Sequence, residues 1–194
     1  VIGEMADDSC LIMFSGGPPV ATADEYYHFQ PDRNVFYLTG ITRPDVVLWI
    51  WKHSNTSETT LFLPGGKHSV AGQTDFPLSA EEAQTISGIE KVEDVDEFNT
   101  LLSRHIERMP SETVYFDFTR LHIEAAQTPL EVYAADFGAK YPGIEIKDIH
   151  KTICNFRVHK TAEEIDEIRK AVEITKAGII HMMKNCRPAI NERD

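Results

Sequence analysis

The chain has little cysteine, no long apolar run and few cations for its acids. Three cysteines in 194 residues, Cys10, Cys154 and Cys186, stand far apart with no C-x-x-C pair. That excludes a disulfide framework and points to free thiols in a reducing compartment. The longest apolar run, Val46-Val47-Leu48-Trp49-Ile50-Trp51, has the length of a strand and falls well short of the ~20 residues that span a bilayer as a helix. The N-terminus also lacks the charged-then-apolar layout of a secretory leader. Lys and Arg number 19 against 31 Asp and Glu, a formal net charge of −12. Such a surface repels polyanions, so nucleic acid is not an expected partner. A cytoplasmic protein without membrane contact is expected, and Val1 suggests a natural start further upstream.

What is present is enough apolar residue, 42% of the chain, for one sizeable core. Leu11-Ile-Met-Phe14, ended by Gly16-Gly17-Pro18-Pro19, has the pattern of a buried strand stopped by loop residues. Val35 to Thr39 and Val46 to Trp51 repeat the pattern, and the latter is expected to form a hairpin with Thr59 to Leu63. Helical signals follow. Ser79-x-x-Glu82 is a capping box for a helix closing near Gly88, and Phe98, Leu101, Leu102, His105, Ile106 and Met109 mark one face of a second helix. Val114 to Phe118 predicts a strand, Thr128-Pro129-x-Glu131 caps a helix carrying Leu130, Tyr133, Ala134 and Phe137, and Ile144 to Ile146 predicts a short strand. The sum is an α/β domain, a mixed β-sheet flanked by helices.

The last stretch is a long helix. Thr161 and Glu164 have capping-box spacing, and Ile165, Ile168, Val172, Thr175, Ile179 and Met182 recur at helical spacing behind them. After Lys184 only a short polar end remains, so this helix, beginning at a boundary near Arg157 to Thr161, is expected to open a domain that continues beyond Asp194.

No constellation in the sequence assembles an active site. Eight histidines form no H-x-x-x-H or H-E-x-x-H pattern. His28, His53, His68, His122, His150 and His159 lie in or beside predicted loops as solvated side chains, while His105 and His181 fall on helices. Asp117, after a strand, suits either an active-site acid or the start of a turn. Gly65-Gly66-Lys67 lacks the first glycine of a phosphate loop, and Gly16-Gly17 fails the dinucleotide fingerprint. No serine is framed as G-x-S-x-G, and no cysteine can be linked from sequence to a histidine and an acid. Catalytic, cofactor-binding and metal-binding residues are therefore all expected to be none in this chain.

The ordered combination Phe29-Gln-Pro31-Asp-Arg-Asn34-Val-Phe-Tyr-Leu-Thr-Gly40, Pro44-Asp-x-Val-Leu48 and Arg157-x-x-Lys160-x-x-Glu163-Glu-Ile165 with Arg169, Ala171 and Ile174 resembles the N-terminal domain of the aminopeptidase P, prolidase and creatinase family. The similarity runs over nearly the whole chain, and Cys186-Arg187-Pro188-Ala189 is similar to the family's R-P-G segment with alanine in place of glycine. The resemblance implies a ribonuclease H-like N-terminal domain over residues 1–156, followed over residues 157–194 by the junction and first helix of a pita-bread catalytic domain. It implies a hydrolase removing the residue before proline from peptides, with two divalent metals, expected as manganese, held by two Asp, one His and two Glu beyond Asp194. A two-metal hydrolase clamps its ions about 3.5–4 Å apart with convergent carboxylates, and this sequence offers no such set.

The N-terminal domain would then be non-catalytic, contributing oligomer contacts and substrate gating, with its own catalytic domain, neighbouring subunits and peptides bearing proline in second position as partners. Prolidase or creatinase-like parents, or a stand-alone binding module, are the alternatives. Val70-Ala71-Gly72-Gln73 departs from the family's W-x-G-x-R loop. Arg157 and Lys160 match its R-x-x-K segment and are expected on the interdomain turn, where they bond to nearby carbonyls and carboxylates.

Overall fold

The computed structural model describes residues 1–23, 25–65, 78–108, 112–119, 122 and 124–187. Six strands form one sheet in the order β4-β3-β2-β1-β5-β6, where β1 is Ser9–Phe14, β2 Val47–His53, β3 Thr56–Leu63, β4 Lys91–Asp94, β5 Thr113–Phe116 and β6 Glu145–Asp148. β2 runs antiparallel to both of its neighbours, while the pairs β1–β5, β5–β6 and β3–β4 are parallel. The sheet is thus mixed, as the sequence predicts. The expected hairpin is β2–β3, turned at Ser54, which takes φ of 52° in a two-residue connection that needs such a conformation.

Among the described residues six α-helices accompany the strands: α1 Arg33–Thr39, α2 Ala80–Ser87, α3 Phe98–Arg108, α4 Pro129–Lys140, α5 His150–Val158 and α6 Ala162–Asn185. Side chains alternate across each strand, so the sheet has two apolar faces. Leu11, Met13, Leu48, Ile50 and Leu61 point to one, packed with Val35 of α1, Ala83 of α2 and Ile153 of α5. Cys10, Ile12, Trp49, Phe62 and Phe116 point to the other, packed with Phe98 and Leu102 of α3 and Ala134 and Phe137 of α4. With both faces covered, β1 reads as an unbroken apolar run rather than an alternating one.

The predicted capping boxes all form, at Ser79/Glu82, Thr128/Glu131 and Thr161/Glu164. Bonds from the backbone and side chain of Ser79 hold the Glu82 carboxyl below its usual range.

Val35 to Thr39, expected as a strand, is helical. The Asp32 side chain accepts hydrogen bonds from the backbone N–H groups of Asn34 and Val35, and Gly40, at φ 68° and ψ 1°, returns its N–H to the Phe36 carbonyl. Caps at both ends outweigh the β-branched and aromatic content of the run. The burial is helical too: Val35 and Thr39 are inside, Phe36 and Tyr37 outside. β4 and α5 had no counterpart in the sequence reading. Arg157, placed there on a turn, lies in the last turn of α5, and the Lys160 ammonium bonds to its carbonyl.

The chain divides into two compact units, Val1–Cys154 and Asn155–Asp194. Within the second, Ile168, Val172, Ile179 and Met182 of α6 are exposed. No described helix is long and apolar enough to cross a membrane.

Candidate functional site

The parallel pairing of β1, β5 and β6 brings their C-terminal ends side by side, with Ile12 beside Phe116 and Phe116 beside Asp148. Asp117, the residue that follows β5, therefore lies at an edge where the following turns and helices converge. α1 is brought to this edge by the Asp32 N–H, which bonds to the Ser15 carbonyl at 3.0 Å just past β1. α5 is anchored there twice, because the Ile149 N–H reaches the Phe116 carbonyl at 2.9 Å and Asp148 accepts the His150 N–H at 2.9 Å.

These placements line up four side chains. Asn34 Nδ2 donates to Asp117 Oδ2 at 2.8 Å, Asp117 Oδ1 lies 2.6 Å from His150 Nδ1, and His150 Nε2 lies 3.4 Å from Cys154 Sγ. The Asp117 side chain is 4% exposed and that of His150 34%, so the relay runs outward from the core. As a carboxylate Asp117 offers only acceptors, so Nδ1 carries a hydrogen toward it, and in the neutral ring Nε2 then presents its lone pair to the thiol. Nucleophile, base and orienting carboxylate are the parts of a base-activated thiol.

Beside Asp117 opens a cleft of about 700 Å³, lined by Phe14, Val47, Phe98, Leu130 and Tyr133 and by Asp32 and Asp45. Burial raises the Tyr133 hydroxyl to about 12, so it stays a neutral hydrogen-bonding group at physiological pH.

Asp117, read from sequence as either an active-site acid or the start of a turn, has its side chain buried between Asn34 and His150. His150, expected beside a loop, is the first residue of α5. His28, His122 and His159 are exposed as expected. His53 closes β2 and pairs with Asp8, whereas His105 packs 5.0 Å from Trp49 and 5.4 Å from Trp51, centroid to centroid. Gly66, Lys67, His68, Met109, Pro188, Ala189 and the segment Val70 to Gln73 lie outside the described residues. The cysteines are free thiols. The link from Cys154 to His150 and Asp117 escaped sequence reasoning because α5 did. Its signal is the i, i+4 spacing of His150 and Cys154, which puts both on one helix face.

The model of the family "Aminopeptidase P, N-terminal domain" matches residues 1–115, more than half of the chain. A Pyricularia oryzae protein named as an Xaa-Pro aminopeptidase is 31% identical over 171 residues, 88% of this chain and 34% of its own length. The Xaa-Pro aminopeptidase of Haemophilus influenzae is 24% identical over 188 residues, 97% of this chain and 41% of its own length. A Bacillus anthracis structure described as an aminopeptidase P superposes with TM-score 0.87 at 34% identity, covering 92% of this chain and 42% of that one. Escherichia coli aminopeptidase P, solved with the inhibitor Pro-Leu, superposes with TM-score 0.77 at 22% identity over 98% of this chain and 44% of that one. This last likeness is one of fold. The chain thus spans between about a third and two fifths of the length of these curated relatives.

Proposed function

The chain belongs to the aminopeptidase P N-terminal-domain family, and from that premise we propose that it serves as the non-catalytic N-terminal domain of a metal-dependent Xaa-Pro aminopeptidase. The observation that carries the reading is the family match over residues 1–115, extended by collinear similarity to Xaa-Pro aminopeptidases over 88% of the chain. Residues 1–156 are the N-terminal domain in this proposal, and residues 157–194 carry the junction and first helix of the catalytic domain. The names of the relatives favour an aminopeptidase over a prolidase or creatinase-like parent.

Two divalent metals, expected as manganese, would polarise the scissile carbonyl and supply the hydroxide in such a parent. The residues described here do not fit that pair: no group of three or more His, Cys, Asp or Glu could hold a metal ion. Asp117, the buried carboxylate among them, is engaged by Asn34 and His150. No step of the reaction is assigned to this chain. Its proposed part is to form contacts between subunits and limit access to peptides with proline in second position, in the cytoplasm.

The test compares this chain with the longer protein encoded by the same reading frame, each given a manganese salt and an Xaa-Pro peptide, with release of the N-terminal amino acid followed by chromatography. Release is expected from the longer protein alone. Release that tracks the isolated chain, or a longer protein without metal-dependent release, would overturn the reading.

A further inference from the structure

We infer that Cys154 is a thiol-exchange site, modified by small uncharged or cationic disulfides through attack assisted by His150. The three parts required stand in line: Sγ is 3.4 Å from Nε2 of His150, and Nδ1 of the same ring is 2.6 Å from Asp117 Oδ1. Asp117 is held in turn by Asn34 at 2.8 Å, so the ring cannot swing away from the thiol without breaking its part-buried bond to a fixed carboxylate. His150 and Cys154 sit one turn apart on α5, a rigid element, which fixes their separation. Cys154 is half-buried. The other thiols are different: Cys10 is fully buried within β1, and Cys186 is exposed at the end of α6, with no described histidine or carboxylate paired to it.

The step balances with the disulfide reagent as its oxidant. The Cys154 hydrogen passes to His150 Nε2, Sγ attacks one sulfur of the reagent, a new S–S bond forms as the old one breaks, and the departing thiolate takes the proton back from the imidazolium. Cys154 is oxidised to a mixed disulfide, and one half of the reagent is reduced to a thiol. The preference for an uncharged or cationic reagent follows from the net charge of −12 and the neighbouring Asp117 carboxylate, which oppose an anionic one. Once modified, Sγ has no hydrogen to offer Nε2, and the outer link of the relay is broken.

The experiment treats the 194-residue chain at neutral pH with cystamine and follows each mixed disulfide by mass-spectrometric peptide mapping. Cys154 is expected to react roughly tenfold or more faster than Cys186, as base assistance gives, although Cys186 is the more exposed. In His150→Gln this advantage disappears while Cys186 keeps its rate. In Asp117→Asn, which alters a positioning residue, the advantage falls only in part. Dithiodiglycolate, an anionic disulfide, should show a smaller preference for Cys154 than cystamine. If Cys154 in the unaltered chain reacts no faster than Cys186, the inference fails whatever the variants do. It fails equally if a folded His150→Gln chain keeps the advantage.

Discussion

Asn34 and Asp117, 83 positions apart, are joined by a 2.8 Å hydrogen bond from Nδ2 to Oδ2. It ties the first turn of α1 to the end of β5. Replacing Asn34 by Ala removes a donor to a buried carboxylate, which should cost about 1–3 kcal/mol. Asn34→Asp should cost more, since it sets a second carboxylate against the first. Urea unfolding followed by tryptophan fluorescence measures both, and unchanged midpoints would contradict the role given to this bond.

Gly40 and Gly88 both end helices in the left-handed region, at φ 68° and 69°. A Cβ at Gly40 would also meet Ile86 Cγ2 at 3.2 Å, whereas at Gly88 nothing stands within 4 Å. Gly88→Ala should therefore lose about 1–2 kcal/mol from backbone strain alone, and Gly40→Ala should lose more. Thermal melts of the two variants decide, and a larger loss at Gly88 would show that Ile86 gives way freely.

Burial between Trp49 and Trp51 holds the His105 pKa below its ordinary value, with Glu58 acting weakly in the opposite sense. The folded state thus favours the neutral ring, and the unfolded chain takes up the proton first as pH falls. The stability from this site is present above about 6.5, the ordinary histidine value, and is lost on the acid side of it. His105→Phe should flatten the fall of melting temperature between neutral and mildly acid pH. An unchanged slope would mean that other groups govern it.

On α6, Ile165, Ile168, Val172, Thr175, Ile179 and Met182 follow one another at alternating three- and four-residue steps, the spacing of a seam that packs on another helix. Ile168, Val172, Ile179 and Met182 are exposed. Sedimentation should show association that rises with concentration for the full chain and is absent when the chain stops at Lys160. Equal monomeric behaviour of both would show that the stripe needs no partner.

Where local chemistry decides, the sequence could be read directly. Three capping boxes, each a hydroxyl and a glutamate three residues apart, placed α2, α4 and α6 at their N-termini. The apolar run at Leu11 to Phe14 placed β1, because a strand covered on both faces needs apolar residues at every position. Val35 to Thr39 misled for the same reason, since a run of four apolar residues ending in threonine suits a buried strand as well as a short helix. What settled it was the pair of caps at Asp32 and Gly40. β4 and α5 were illegible, as Lys91-Val-Glu-Asp94 carries a single apolar residue and α5 starts without a Ser/Thr cap.

The sequence by itself determined an acidic α/β domain whose ordered motifs resemble the aminopeptidase P, prolidase and creatinase family, with widely spaced cysteines and no metal-ligand spacing. Composition, periodicity and linear motifs carry that information, for they depend on residues near one another along the chain. Only the tertiary structure decided that Asn34, Asp117, His150 and Cys154 form one relay. Asn34 and Asp117 come from segments 83 positions apart, and no local pattern encodes their meeting. It follows from the parallel register of β1, β5 and β6, which sets the ends of these strands side by side and delivers α1 and α5 to the same edge.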